Sequence, residues 1–305
     1  MKRNIFLLLF MIIPCCLWIQ GAGCGPTKSV YKSVSTKVTW KSAGLRKKVL
    51  VLPVVDQAHI GEGRSAELTA SLIELIKRDK NLLVFKASQP IPSTIKIRSP
   101  RFGIAIDPDL AKKAEELGMN VLITCVLNPF DVTTKRVGIW PFRKMKRKMH
   151  ISFLVNAIDL INGTLFLTEL KTVTLKMPDI DPEEQKVDEK ISDERLKKTL
   201  SGILDDQASA IISGLRDQPW RGRVLSADNK TIIINAGKDI GLKPDSVFEV
   251  FGRGESILSA SGRSINLIGP KVGEIKTIRV MESYSSAAPL TGGGFRAGQV
   301  IKMKD

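Results

Sequence analysis

The sequence predicts an α/β sandwich built on a mixed sheet, followed by a small all-β barrel. Three observations lead there. Aliphatic runs alternate with helical periods from Lys48 to Leu127, two further apolar runs are joined by Asn162-Gly163, and the chain changes character after Pro219-Trp220.

Lys48 to Val55 is a near-continuous β-branched and aliphatic run, the pattern of a strand buried on both faces. Gly61 and Gly63 break it. Ser65 to Lys77 places Leu68, Leu72, Ile73, Leu75 and Ile76 near a helical period. Leu82 to Phe85 is a second short strand. Residues 88–106, with three prolines, read as a long surface excursion. Asp107-Pro108 is a helix cap followed by proline in the first turn, and this helix runs through Ala111, Ala114 and Leu117 to stop at Gly118. Val121 to Leu127 is the third strand. Ile151 to Leu160 and Leu165 to Leu175 flank Ile161-Asn162-Gly163-Thr164, a hairpin signal. Glu194 to Leu215 is helical, with Leu196, Leu200, Ile203, Leu204, Ile211 and Ile212 as its apolar stripe. The order is β-α-β-α-β-β-β-α.

Beyond Pro219-Trp220 the strands are short, glycine and proline are frequent, and no amphipathic helix occurs. Trp220 to Ser226, Thr231 to Asn235, Val247 to Phe251, Lys271 to Met281, Ser285 to Pro289 and Gly298 to Met303 have barrel-like spacing.

Ahead of both domains, residues 1–23 follow the plan of an export signal: Lys2 and Arg3, then an apolar run from Ile5 to Ile19, then small residues. That run of 15 residues is short for a membrane span, which needs about 20. Gly21-Ala22-Gly23-Cys24 resembles the lipobox of bacterial lipoproteins, with Gly21 where an aliphatic residue is usual. Gly21 and Gly23 would also suit an ordinary secretory peptidase, which leaves a soluble periplasmic product. The lipobox resemblance implies a diacylglycerol on Cys24. Gly25, where Asp would retain an enteric lipoprotein at the inner membrane, implies the periplasmic side of the outer membrane. The expected organisation is therefore a signal peptide over 1–23, a basic flexible tether over 24–48, an α/β domain over 49–219 and a small barrel over 220–305.

Two further resemblances fit an envelope protein. Val49-Leu-Val-Leu-Pro53, Leu83-Val-Phe85, Ala111 to Thr124 and Val155 to Thr164 stand in the order of motifs found in an envelope domain. That domain is similar to those of the curli secretion channel lipoprotein and the lipoprotein activators of peptidoglycan synthases, over about 49–175. Gly237-Lys-Asp-Ile-Gly241-Leu-Lys-Pro-Asp245-Ser246-Val-Phe-Glu-Val250, with Val272 to Ile275 and Phe295 to Ile301, resembles the C-terminal domain of flagellar assembly protein T, an SH3- or OB-like barrel. Asp245-Ser246 replaces that family's Gly-Asp turn. In the curli channel, loops of the domain become membrane hairpins. Residues 135–148 and 177–195 carry charge on both faces and lack the alternation such a strand needs.

The net charge of +16 is unevenly spread. Residues 24–48 hold seven Lys or Arg and no acid, residues 49–219 hold 25 bases against 23 acids, and residues 220–305 hold 13 against 8. Half of the mature excess thus lies beside the expected lipid, where anionic head groups attract it; a merely solvated linker is the plainer reading. No zinc finger, RNA-binding aromatic motif or helix-turn-helix signal accompanies the charge, so nucleic acid is not an expected partner.

Cys15 and Cys16 lie in the signal and Cys24 would be lipidated, which leaves Cys125 as a single thiol expected to be buried. One cysteine with His59 and His150 makes no metal site, and no cofactor is expected. His59, with Asp56 and Ser65 near it in sequence, is the only candidate base for a nucleophile; a surface-loop histidine is the plainer reading. There is no Gly-x-Ser-x-Gly elbow, Gly292-Gly-Gly294 reads as a turn, and Gly252-Arg-Gly254 makes no phosphate cradle. No enzyme is expected.

The most unusual segment holds Lys135, Arg136, Arg143, Lys144, Lys146, Arg147 and Lys148, with Trp140 and Phe142 between them. Such a pattern can grip phosphates, lipid head groups or an acidic protein. It can also be a long hairpin with a solvated tip, or pair with the eight acids between Asp179 and Arg195. The function expected is a non-catalytic periplasmic lipoprotein that docks onto or scaffolds a flagellar, secretory or cell-wall assembly. A regulator of a peptidoglycan synthase is the alternative, and a hydrolase centred on His59 the more distant one. The partners would be the membrane, through the lipid, and other envelope proteins, with self-association left open.

Overall fold

Aliphatic side chains on both faces place β1 (Lys47–Val51) inside a sheet, with parallel neighbours on either side. In this computed structural model the described residues are 44–87, 108–139, 143–178, 192–228, 230–258 and 264–304. They lie within one compact unit spanning 40–305. The expected signal peptide, Cys24, the tether up to residue 43, the excursion 88–106, Trp140, Phe142 and the acidic residues 179–191 lie outside them.

β3 (Leu82–Lys86) and β4 (Val121–Leu127) flank β1 in parallel. The two-residue β2 (Val55–Asp56) also pairs with β4. β6 (Lys144–Asp159) is antiparallel to β4, and β7 (Leu165–Lys176) returns beside it through the expected Asn162-Gly163 turn. The sheet is therefore mixed. α1 (Glu62–Lys77) and α3 (Asp193–Arg216) cover one face, where Leu72, Ile76, Ile203, Leu204 and Ile211 meet Ile123, Phe153 and Val155. Inside that apolar layer, Gln207 of α3 donates to Phe153 O at 3.0 Å. α2 (Pro108–Glu116) covers part of the other face, packing Ala114 and Leu110 on Leu50 and Leu122. It stops at Gly118, whose φ of +74° is the left-handed value that glycine adopts without penalty.

The all-β domain is a closed antiparallel barrel. Its strands are β8 (Gly222–Ala227), β9 (Ile232–Ile234), β10 (Val247–Leu258), β11 (Ser264–Val280), β12 (Ser285–Gly292) and β13 (Val300–Met303), in the order β10-β11-β12-β9-β8-β13. Trp220, Ile234, Phe248, Val250, Ile275 and Ile301 fill it. A Trp220–Phe248 ring contact at 5.9 Å sits in that core.

Three features depart from the sequence expectation. First, β5 (Asp131–Val137) is an extra strand, antiparallel to the start of β6, so β6 begins at Lys144 rather than Ile151. Every residue of β5 is exposed, so no buried face marks it in the sequence. Second, β10 and β11 run well past the barrel as a two-stranded arm. The expected strands ended at Phe251 and began at Lys271, but the ladder continues across Gly252, Gly254 and Gly269-Pro270 through register shifts. A Cβ on Gly254 would come within 2.7 Å of Leu267 O, so glycine there permits close strand approach. Third, the stretch expected to run as a tether to Lys48 is folded from Gly44 onward. Leu45 is buried in the barrel core, and Lys47 and Lys48 are buried in β1.

Candidate functional site

The two domains meet along a seam of polar contacts drawn from segments far apart in sequence. Arg46 N donates to Ile240 O at 2.9 Å, and the Arg46 guanidinium donates to Asp239 O. Lys48 Nζ pairs with Asp239 at 2.5 Å. Asn120 accepts from Lys48 N at 2.8 Å and donates to Arg221 O at 2.6 Å, tying β1 to the entry of β8. Arg221 Nη1 donates to Asp159 at 3.1 Å, while Arg223 donates to Ile161 O at 2.7 Å and lies 2.8 Å from Glu115. Toward the far end of the arm, where Asn266 pairs with Ser256, Asn266 N donates to Asn162 O at 2.9 Å. Leu45 is buried in the barrel core and Leu83 of β3 packs on it.

Burial sets the electrostatics of this seam. Desolvation raises the Asp159 carboxyl above its ordinary value, against the Ile161 N–H and the Arg221 and Arg223 charges, which favour the ionised form. Lys47 is lowered to about 8 by burial, despite the opposing charges of Asp79, Asp159 and Asp217. Its amine donates to Leu215 O near the end of α3, where the helix dipole favours a cation. The seam side chains Asn120, Arg221 and Arg223 were not singled out in the sequence, because each is an ordinary polar residue whose partner lies tens of positions away.

The basic residues singled out in the sequence come together on a ribbon. β5 pairs with β6 from Asp131–His150 to Val137–Lys144, so the segment is a hairpin with its turn beyond Val137. Because side chains alternate along a strand, the pairing sorts them by face. Lys135, Lys144, Lys146 and Lys148 share one face with Lys176 of β7. Arg136 and Arg147 share the other with Met145 and Met149, and Met149 packs on the helix-side core. Arg143 is exposed at the turn.

Asp56, His59 and Ser65 are brought to one cleft, of about 740 Å³, at the ends of the parallel strands. Ser65 Oγ donates to Val54 O at 2.7 Å, and Asp56 accepts from Gly61 N at 3.0 Å. Both side chains thus brace the loop into α1. His59 is exposed, on a left-handed residue with φ of +55°.

No protein-family model and no curated protein matches the chain. Solved structures similar to it include the hypothetical protein CT253 from Chlamydia trachomatis, at 15% identity and a TM-score of 0.34 over 56% of this chain and 96% of that one. The lipoprotein GNA1162 from Neisseria meningitidis is similar at 14% identity and a TM-score of 0.30, over 53% of this chain and 99% of that one. The PelC dodecamer from Paraburkholderia phytofirmans is similar at 12% identity and a TM-score of 0.30, over 59% of this chain and 92% of that one.

Cys125 lies in β4 with no exposed surface, and burial pushes its thiol well above the ordinary range. Among the described residues no group of His, Cys, Asp and Glu is placed to hold a metal ion. Among them, too, no helix is long and apolar enough to cross a membrane. A groove of about 800 Å³ runs between α1 and α3 and is bridged by Arg64–Asp193 and Lys197–Glu67 ion pairs.

Proposed function

We propose that this protein is a non-catalytic lipoprotein of the bacterial envelope, held at the periplasmic side of the outer membrane by a lipid on Cys24. It serves as a docking or scaffold module for a larger envelope assembly. The seam carries this reading: it locks the sandwich and the barrel into one body. A pre-formed surface binds a partner without the entropy cost of ordering its own parts. The bracing roles of Asp56 and Ser65 favour a structural use of the His59 cleft.

Mass spectrometry of the mature N-terminus, with membrane fractionation, tests the anchor. The expected result is an acylated Cys24 and recovery in the outer membrane; an unmodified N-terminus in the soluble fraction overturns it. Photo-crosslinking residues at exposed Val137 and Leu258 test docking. One discrete envelope partner is expected at one or both sites, and its absence at both overturns the scaffold role. If His59→Ala removes the phenotype that deletion of residues 220–305 leaves intact, the hydrolase is restored.

A further inference from the structure

The lysine face of the β5–β6–β7 ribbon is built against its own electrostatics. Lys135 stands directly opposite Lys146, and Lys148 directly opposite Lys176, with Lys144 in the next row. Like charges directly opposite across strands repel. All five lysines are exposed, and none has an ion-pair partner among the described residues. The single acid on this face of the ribbon is Asp131, at its inner boundary opposite His150.

A row of side-chain hydrogen bonds links the three strands on this face. Thr133 Oγ1 lies 3.2 Å from His150 Nε2, His150 Nδ1 lies 2.9 Å from Thr174 Oγ1, and Ser152 bonds Thr172 at 2.8 Å. The result is a register-locked ribbon that presents ammonium groups in successive rows two residues apart, about 7 Å along the strand. The two arginines within the paired strands, Arg136 and Arg147, which would fork onto one carboxylate or phosphate, lie on the opposite face. Compact, mobile ammonium charges instead suit a diffuse anionic surface.

We infer that this face binds the anionic phospholipid head groups of the membrane to which the chain is tethered. The inference rests on the lipoprotein reading for its geometry. The 20 residues 24–43 can span at most about 70 Å, more than the roughly 50 Å of β6 between Asp159, beside β1, and Lys144, so the ribbon can reach the bilayer that holds Cys24. Charge complementarity with phosphatidylglycerol or cardiolipin then relieves the Lys135–Lys146 and Lys148–Lys176 repulsion.

The full chain, purified from membranes, is placed on vesicles of phosphatidylcholine alone or mixed with phosphatidylglycerol, and lysine acylation is followed by mass spectrometry. The expected result is slower acylation of Lys135, Lys144, Lys146, Lys148 and Lys176 on the anionic vesicles, by roughly fivefold, with Lys112 and Lys113 of α2 unchanged. High salt should remove the protection. Equal rates on the two vesicle types overturn the inference. So does equal protection on both, which would mean that protein covers the face, or protection by inorganic phosphate alone. Flotation with pure phosphatidylcholine reports the anchor separately, so loss of flotation defeats the lipoprotein reading while the anionic vesicles still test the face. The Lys135→Gln/Lys148→Gln variant should lose the lipid dependence yet melt no lower than the parent, a pairing that misfolding would not produce.

Discussion

Arg221, at the entrance to the barrel, reaches back to Asp159 at the end of β6 and donates to its carboxylate at 3.1 Å. The same carboxylate accepts from Ile161 N at 2.8 Å, so one buried acid closes the β6–β7 turn and fastens the barrel to it. Removing one partner of a buried pair leaves the other charge uncompensated. Asp159→Ala is therefore expected to lower unfolding stability by about 3 kcal/mol. Asp159→Asn, which keeps an acceptor for Ile161, should cost less than half of that. Urea midpoints of the two variants check the order.

Lys47 gives an unusual pH dependence. Its amine loses its proton more readily in the fold than in the unfolded chain, so between about pH 8 and pH 10.5 the unfolded state holds more protons. Stability from this group therefore rises with pH across that window, by up to about 3 kcal/mol. Lys47→Met should be no less stable than the parent at pH 7 and should lack the alkaline gain. Denaturant titrations of both proteins at pH 7 and pH 10 isolate the difference; a parent that gains nothing relative to the variant contradicts the assignment.

Asp245 occupies a left-handed conformation at φ of +62°. A side chain there costs about 1 kcal/mol. The exposed Lys276 contact at 2.8 Å offsets little of it. Asp245→Gly is expected to raise stability by about 0.5 kcal/mol and Asp245→Val to lower it by more than that. Thermal melts of the two variants should move in opposite directions.

Cys125 should resist modification as long as the sheet is closed. Burial holds its thiol protonated, and a thiol reacts as the thiolate. An aromatic disulfide reagent is expected to label it only at the rate of unfolding. Rapid labelling of the native protein would show that β4 opens locally. Cys125→Ser, which places a hydroxyl among apolar neighbours, is expected to cost about 1–3 kcal/mol.

The elements that were legible in the sequence are those with one clear buried period. Val121 to Leu127 is a strand at the predicted residues, and α3 follows the stripe from Leu196 to Leu215. β5 was legible only as one of several readings, a long hairpin over 135–148, because Thr133, Thr134, Lys135 and Arg136 are polar on both faces and only pairing with β6 makes them a strand. The arm was hidden because glycine marks both a break and a place of close backbone approach, and only the Leu267 carbonyl opposite Gly254 decides between them. The seam could not be read at all. Asn120, Asp159 and Arg221 become neighbours only when two domains close on one another.

The burial of Leu45 has a mechanical consequence. Any pull on the chain from the direction of Cys24 meets first a leucine lodged in the barrel core, then the Arg46–Ile240 hydrogen bond, then β1. β1 lies between two parallel strands, so a force along it must shear the bonds of both ladders together rather than unzip them one at a time. Tension on the expected lipid anchor would thus be carried by both domains at once, and stretching from residue 24 in a force experiment should rupture them in a single event.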